Sequence, residues 1–218
     1  MNDESAAGAG VPAPGCRDPA NDLAPMTDAE VMKALEESGA ILTGHFVLTS
    51  GRHSNRYIQC ARVLEDPALT VRLAGEIVRR LGDRRACIDL VAAPAVGGIL
   101  IGFAVAQALG KRFIFSERQH GAMTLRRGFD VSPKARVLVV EDVVTTGGSV
   151  GELIDLVRSA GGEIAGVVSL IDRGGEKAFD ARYDPLLRLD VESWHADDCE
   201  PCAAGEPVTS PGSRRLGP

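Results

Sequence analysis

No apolar run in this chain is long enough to cross a bilayer, and its amino terminus has no charged-then-apolar leader. Positive charge is in deficit: 24 Lys and Arg face 30 Asp and Glu, giving a net charge of −6. That balance argues against a nucleic-acid surface, because binding a phosphate backbone needs clustered cations. Any cations that matter must therefore be local. Aromatic residues are scarce at 4%, yet the 44% hydrophobic content is ordinary for an α/β domain, and 218 residues can bury one good core. Five cysteines, an odd number scattered along the chain, fit reduced thiols in a cytoplasm better than a disulfide framework. No internal repeat is visible. The expectation is one cytoplasmic domain with neither membrane nor nucleic acid as partner.

The ends lack periodicity. Residues 1–25 are rich in Ala, Gly, Asn and Asp, and Pro12, Pro14, Pro19 and Pro25 break any helix there. This stretch reads as a disordered extension, or as the product of a start codon placed upstream of Met26. Residues 196–218 return to Pro, Gly, Ser and Arg and read as an irregular tail. Between them, Thr27 and Glu30 form a capping box for a helix closed by Gly39, and Asp66–Pro67 opens a second with Leu69, Leu73, Ile77 and Leu81 on one face. Strands are expected at 88–93, 112–115, 137–140 and 164–171, with helices at 97–109 and 149–160. Alternation of this kind gives a parallel sheet flanked by helices, and the loops leaving its carboxyl edge gather around one crevice.

The most informative run is residues 137–149, VLVVEDVVTTGGS. Val137 to Val140 are apolar at every position, as a strand buried on both faces requires. Thr145, Thr146, Gly147, Gly148 and Ser149 then offer hydroxyls and unencumbered N–H groups at a helix start, a pocket for a monophosphate. Glu141 and Asp142 would repel a phosphate at contact distance, so their partners should be ribose hydroxyls or a bridging Mg²⁺. A ribose 5-phosphate wants both features. No Gly-Lys-Ser/Thr follows the glycines, so this is not the nucleoside-triphosphate P-loop.

This run resembles the signature of type I phosphoribosyltransferases, which bind 5-phosphoribosyl 1-diphosphate. Residues 44–60, GHFVLTSGRHSNRYIQC, look like the hood segment of the orotate phosphoribosyltransferase family. With SERQHGAMTLRRGF at 116–129 and IDR at 171–173, the likeness covers most of residues 27–192. It implies a type I fold over residues 26–195, with a hood at about 40–62 and a mobile lid at about 116–129. The implied reaction joins orotate to the ribosyl donor, giving orotidine 5′-phosphate and pyrophosphate in pyrimidine (UMP) biosynthesis. Mg²⁺ would enter with the donor, with Asp142 as the one candidate protein contact, and the family is typically a homodimer.

The resemblance also assigns residues. Val143 to Ser149 would hold the 5′-phosphate, and Glu141 and Asp142 the ribose. Ala95, Val96 and Gly97 would hold the pyrophosphate, with a non-proline cis peptide near Ala95–Val96. Relatives carry Lys where this chain has Gly97, so backbone groups should do more here. In the lid only Arg118 and His120-Gly121 match well; the lysines are missing, and Arg126 and Arg127 are candidates to replace their charge. Arg118 and His120 are assigned to catalysis with Glu141 and Asp142. Arg173, helped by Thr145, would bind orotate through its guanidinium fork. Thr49, Ser50, Gly51, Arg52 and His53 would cover the base, with Arg52 standing in for a hood Lys that is lost at Thr49.

Outside this scheme, His195, Cys199 and Cys202 invite a zinc reading. They fall one ligand short unless Cys60 or Cys16 joins them, so free thiols are expected. The rival functions are a purine-type phosphoribosyltransferase, which would share residues 137–149 but not the hood or the Arg173 context, and a donor-sensing regulator on the same fold.

Overall fold

Thr27 starts the first helix by the expected box. Its hydroxyl accepts the Glu30 N–H at 3.3 Å while the Glu30 carboxylate accepts the Thr27 N–H at 2.8 Å, opening α1 (Asp28–Glu37). The structure is a computed structural model that describes residues 24–48, 50–175 and 179–211; most of the expected 1–25 extension, Cys16 and Thr49 lie outside them. After β1 (Ile41–Val47), β2 (His53–Ile58) and the single turn α2 (Ala61–Leu64), Asp66 caps α3 (Pro67–Leu81) by accepting the N–H groups of Ala68 and Leu69. Leu73, Ile77 and Leu81 are buried, and Leu69 packs beside them half-buried, as the helical spacing predicts.

The chain then alternates through β3 (Leu90–Pro94), α4 (Gly98–Leu109), β4 (Arg112–Gln119), β5 (Ala122–Leu125), β6 (Arg136–Val144), α5 (Gly148–Ser159), β7 (Glu163–Asp172) and β8 (Tyr183–Arg188). These strands form one sheet in the order β5-β4-β3-β6-β7-β8, parallel except for β5. Why β6 must be apolar throughout is clear from its neighbours. Leu138 and Val140 pack with α3 and α4 residues on one face, and Val137 and Val139 pack with α5 residues on the other. Each fully buried Leu or Val contributes roughly 1.5–3 kcal/mol relative to exposure.

Two boundaries differ from expectation. β6 does not stop at Val140 but runs four residues on, pairing Val143 with Ile171 and Val144 with Asp172, so the acid pair sits on a strand rather than in a loop. β4 likewise extends to Gln119 and folds back as β5. β8 carries Pro185, which hid it in the sequence; Pro is tolerated because β8 is an edge strand.

The hood is a second sheet, β1-β2-β9, completed by β9 (Ser193–Trp194). Here the tail reading needs correction. Residues 196–204 are ordered as a 3-10 turn (Ala196–Asp198) and a short helix α6 (Glu200–Ala203), with Cys199 buried between them. Thr209 then pairs beside Phe46: its N–H donates to the His45 carbonyl at 2.8 Å and its carbonyl accepts the Val47 N–H at 3.0 Å. The segment is too short and too Pro-rich to show a period, and its order comes from contacts with the hood rather than from its own propensity. No helix among the described residues is long and apolar enough to cross a membrane.

Candidate active site

Carboxyl ends of β4, β3, β6 and β7 lie side by side, so the four segments singled out in the sequence meet at one edge. At its centre is the acid pair. Glu141 is 8% exposed, opposite Ser169 in register, and one of its carboxyl oxygens accepts the Asp142 N–H at 3.0 Å. Burial first, and then the neighbouring Asp142 charge, push its pKa up to about 9. Glu141 is therefore protonated at neutral pH, unlike the two carboxylates expected from the sequence, and presents a donor as well as an acceptor. Asp142 is half-buried, and its Oδ1 accepts the Val143 N–H at 2.8 Å.

Behind the pair stands Cys60, whose thiol lies 3.9 Å from the Asp142 carbonyl. Burial and the two acids hold that thiol well above its ordinary pKa, so it stays neutral. Ahead of the pair, Thr145 and Thr146 are exposed, and Gly147 (φ 71°) turns the chain into α5. No side chain caps this helix, which leaves its amino-terminal N–H groups facing the loop. The left-handed conformation at Gly147 is the reason a glycine is needed there.

Residues 95–97 follow β3, with Pro94 opposite Ser116 and the Ala95 N–H donated to the Ser116 carbonyl at 2.8 Å. The Ala95–Val96 peptide is cis, where it was expected. Gly97 has a spatial reason rather than a missing function. A Cβ there would lie 2.6 Å from Asp142 Oδ1 and 2.7 Å from Oδ2, so any larger residue would have to push the carboxylate aside. One position on, a Gly98 Cβ would come within 3.1 Å of Glu141 Oε1. The 95–98 loop and the acid pair thus form a single surface.

The segment expected to be a lid is a tight hairpin. Gln119 pairs with Ala122, leaving His120 (φ 51°) and Gly121 (φ 86°) as a two-residue turn of the I′ kind that matches strand twist. Arg118 donates to the Gly121 carbonyl at 2.9 Å and to the Glu152 carboxylate at 2.8 Å, which ties it to the second turn of α5. His120 is exposed at the hairpin tip. Arg127 does not offer the free charge expected of it: it grips Glu117 at 2.9 and 3.0 Å and lies 5.7 Å over the Phe115 ring.

Arg173 arrives through strand register. Because Val144 pairs with Asp172, the next residue donates its N–H to the Val144 carbonyl at 2.8 Å, beside Thr145. Asp172 is not its ion-pair partner. That carboxylate accepts the N–H groups of Gly174 and Gly175 and faces Arg188 at 3.6 Å. The Arg173 Nε–H is buried with no hydrogen-bond partner among the described residues, and burial lowers the side chain's pKa. An orphaned donor of this kind costs about 1–3 kcal/mol unless a ligand accepts from it.

The hood departs most from the sequence reading. Arg52 is engaged within the hood: it donates to the Ser193 hydroxyl at 2.9 Å, to the Ser193 carbonyl, and to His195 Nε2 at 2.9 Å. His53 is buried within the hood. Sequence reasoning missed Ser116, whose buried hydroxyl has no partner among the described residues at the floor of the 95–97 loop; one serine inside a strand carries no signal.

Comparison with known proteins agrees with this architecture. A family model described as a phosphoribosyl transferase domain matches residues 63–197. An orotate phosphoribosyltransferase of Desulforamulus reducens is 47% identical over 192 residues, covering 88% of this chain and 100% of the relative. One from Pelotomaculum thermopropionicum is 49% identical over 193 residues, with the same coverage of each chain. The crystal structure of orotate phosphoribosyltransferase from Aeropyrum pernix superimposes with a TM-score of 0.63 at 30% identity, over 73% of this chain and 93% of that one. The chain belongs to the phosphoribosyl transferase family and has its type I fold.

Proposed function

We propose that the protein transfers ribose 5-phosphate from 5-phosphoribosyl 1-diphosphate to orotate, forming orotidine 5′-phosphate and pyrophosphate in pyrimidine biosynthesis. Its curated relatives bear the name of that activity. The observation that supports the reading at the level of the site is half-buried Arg173, whose buried Nε–H has no partner among the described residues, one strand away from the 145–149 loop. An anionic base with a carboxylate is the ligand that such a group accepts best.

In the reaction orotate N1, having released its N–H proton to solvent, forms a bond to C1 of the ribosyl donor while the bond from C1 to the pyrophosphate oxygen breaks, with its electron pair leaving on pyrophosphate. Residues 145–149 hold the 5′-phosphate through backbone N–H groups, hydroxyls and the amino-terminal end of α5. Glu141 donates to and accepts from ribose hydroxyls, and Asp142 offers a carboxylate near a ring that gains positive charge, as in other glycosyl transfers. Ala95, Val96 and Gly97 present backbone to the pyrophosphate. Arg118 and His120, on the hairpin at its edge, supply cationic and donor groups there and exclude water as the hairpin closes. Arg173 and Thr145 orient orotate.

Mg²⁺ suits this site: Asp142 Oδ1 is engaged by the backbone, Oδ2 faces the pyrophosphate loop beside Gly97, and hard cations take such a carboxylate together with substrate phosphates and water. When bound, Mg²⁺ supplies charge neutralisation for the leaving pyrophosphate. A homodimer is supported by Val96, Leu100 and Phe103, large apolar residues 82%, 54% and 58% exposed near the start of α4. Reduced Cys60, Cys87, Cys199 and Cys202 are compatible with a cytoplasmic setting.

The test is donor- and Mg²⁺-dependent loss of orotate absorbance, with adenine, hypoxanthine and uracil as competing bases. Consumption of orotate alone is expected. Consumption of a purine instead would overturn the base assignment, and donor binding without turnover of any base would favour a regulator.

A further inference from the structure

Four side chains that the sequence keeps far apart meet inside the hood. His45 and His53 come from β1 and β2, and Cys199 and Cys202 from the ordered tail, with all four ligand atoms within 4.8 Å of one another. His45 Nε2 lies 2.9 Å from His53 Nδ1, 3.4 Å from Cys199 Sγ and 3.6 Å from Cys202 Sγ, and His53 Nδ1 lies 3.2 Å from Cys202 Sγ. Zinc bonds of about 2.3 Å to sulfur and about 2.0 Å to nitrogen require a tetrahedron with edges of roughly 3.3–3.8 Å; the two His45–cysteine distances fall in that range, and the His45–His53 and His53–Cys202 distances would open by a few tenths of an ångström. Cysteines spaced Cys-x-x-Cys across the start of α6 bring both sulfurs to one side, as structural zinc sites do.

The surroundings fit as well. His45 and His53 are 7% and 8% exposed and Cys199 only 2%, with Cys202 half-buried at the rim, so the cluster is largely shielded from solvent and offers four protein ligands. The outer nitrogen of His45, Nδ1, lies 3.2 Å from the Glu206 carbonyl. Donating its proton there fixes the tautomer that leaves Nε2 as a lone pair toward the cluster, the usual outer contact of a metal-bound imidazole. The expected third ligand, His195, is occupied by Arg52, and Cys60 stands beside Asp142 instead.

We propose that His45, His53, Cys199 and Cys202 bind one zinc ion that staples the carboxyl-terminal segment to the hood. Binding displaces a proton from each thiol and leaves four protein ligands, so the ion is structural and does not turn over substrate. Its role is positional. The hood strands β1 and β2, and through Cys60 the back of the acid pair, are tied to residues 192–209 by this centre together with the Arg52 and Thr209 contacts.

The experiment uses full-length protein purified without chelator, with metal content measured by mass spectrometry. About one zinc per chain is expected, and stripping it should lower the thermal midpoint by several degrees in a way that added zinc restores. Stripped wild-type protein is then titrated with Co²⁺ alone, which reports tetrahedral thiolate ligation through visible ligand-field bands and sulfur-to-metal charge transfer. Cys199→Ser/Cys202→Ser should abolish those bands, whereas Cys16→Ser/Cys60→Ser/Cys87→Ser should retain them. Substoichiometric zinc together with a silent Co²⁺ titration in the wild type overturns the proposal and leaves a hydrogen-bonded cluster or a disulfide. Bands that survive loss of Cys199 and Cys202 overturn it too, because the metal then sits elsewhere. Should the double variant fail to fold, the wild-type spectrum and its retention in the triple variant decide the matter.

Discussion

The sheet-edge cradle and the hood are built by opposite means. In the cradle, backbone does the positioning: residues 95–98 and 141–149 touch because Gly97 and Gly98 have no Cβ to keep the carboxylates away. In the hood, side chains do it, across long stretches of sequence. Arg52 reaches Ser193, Ser54 donates to the Glu192 carbonyl at 2.7 Å, and Cys202 meets His53. Backbone geometry is fixed by local residues and tolerates no bulk, whereas a side-chain assembly holds only when all its distant members are present. Damage to the cradle should therefore appear in chemistry, and damage to the hood in stability.

The sharpest test of that division is Asp142→Asn, expected to lower kcat/KM by about 10²–10³-fold with the circular dichroism spectrum and melting point unchanged, the scale seen when one electrostatic group is removed from a preorganised site. Unaltered steady-state kinetics would remove Asp142 from the site. Next comes Arg173→Lys, which keeps the charge but loses the fork. It should raise the orotate KM roughly 10-fold or more, as a lost charge-assisted hydrogen bond of about 1.5–3 kcal/mol implies, while the donor KM stays put. Equal rises in both would place Arg173 outside the base pocket.

Gly97→Ala follows, with a loss in kcat/KM of about 10-fold from displacing the carboxylate. In an Asp142→Asn background the same change should add little, which a double-mutant cycle measures. Glu141→Gln separates stability from chemistry through pH. Its folded pKa of about 9 lies above the unfolded value of 4.5, so between these limits the native state holds a proton that the unfolded chain releases. Glu141 thus favours the fold at acid pH and loses that advantage as pH rises, with a slope of up to about 1.4 kcal/mol per pH unit. Denaturant titrations across that window should show a flatter profile for Glu141→Gln, and an identical profile would refute the raised pKa.

The smallest effect belongs to the hood. Arg52→Ala should cost on the order of 0.5–1 kcal/mol of stability through its lost hydrogen bonds, with the orotate KM unmoved. A large rise in that KM would collapse the comparison by returning Arg52 to the base pocket.

Legibility in the sequence followed the same line. The capping box of α1, the apolar face of α3, the buried strand at 137–140 and the loop at 145–149 are short-range patterns, and each could be read from contiguous residues. Arg173 became meaningful only once its strand was set in register with β6, yet the pattern of alternating elements already brought it to the right edge. What escaped reading depended on partners far along the chain. Arg52 looked like a spare cation because Ser193 and His195 are invisible from position 52. Arg127 looked free because Glu117 lies across the hairpin, and the tail looked irregular because its order is lent by β1. Gly97 looked like a loss because nothing near it in the sequence reveals a carboxylate pressed against its Cα.

Pairing of Thr209 with β1 bears on how the protein behaves among its own copies. β1 is the outer strand of the hood, and its His45 carbonyl and Val47 N–H pair with Thr209. A chain cut before that residue would carry an unshielded ladder edge beside the apolar Phe46, the kind of template on which strands of neighbouring molecules add. The Thr209 pairing thus shields that edge against self-association, and its removal would show first as turbidity that grows with concentration.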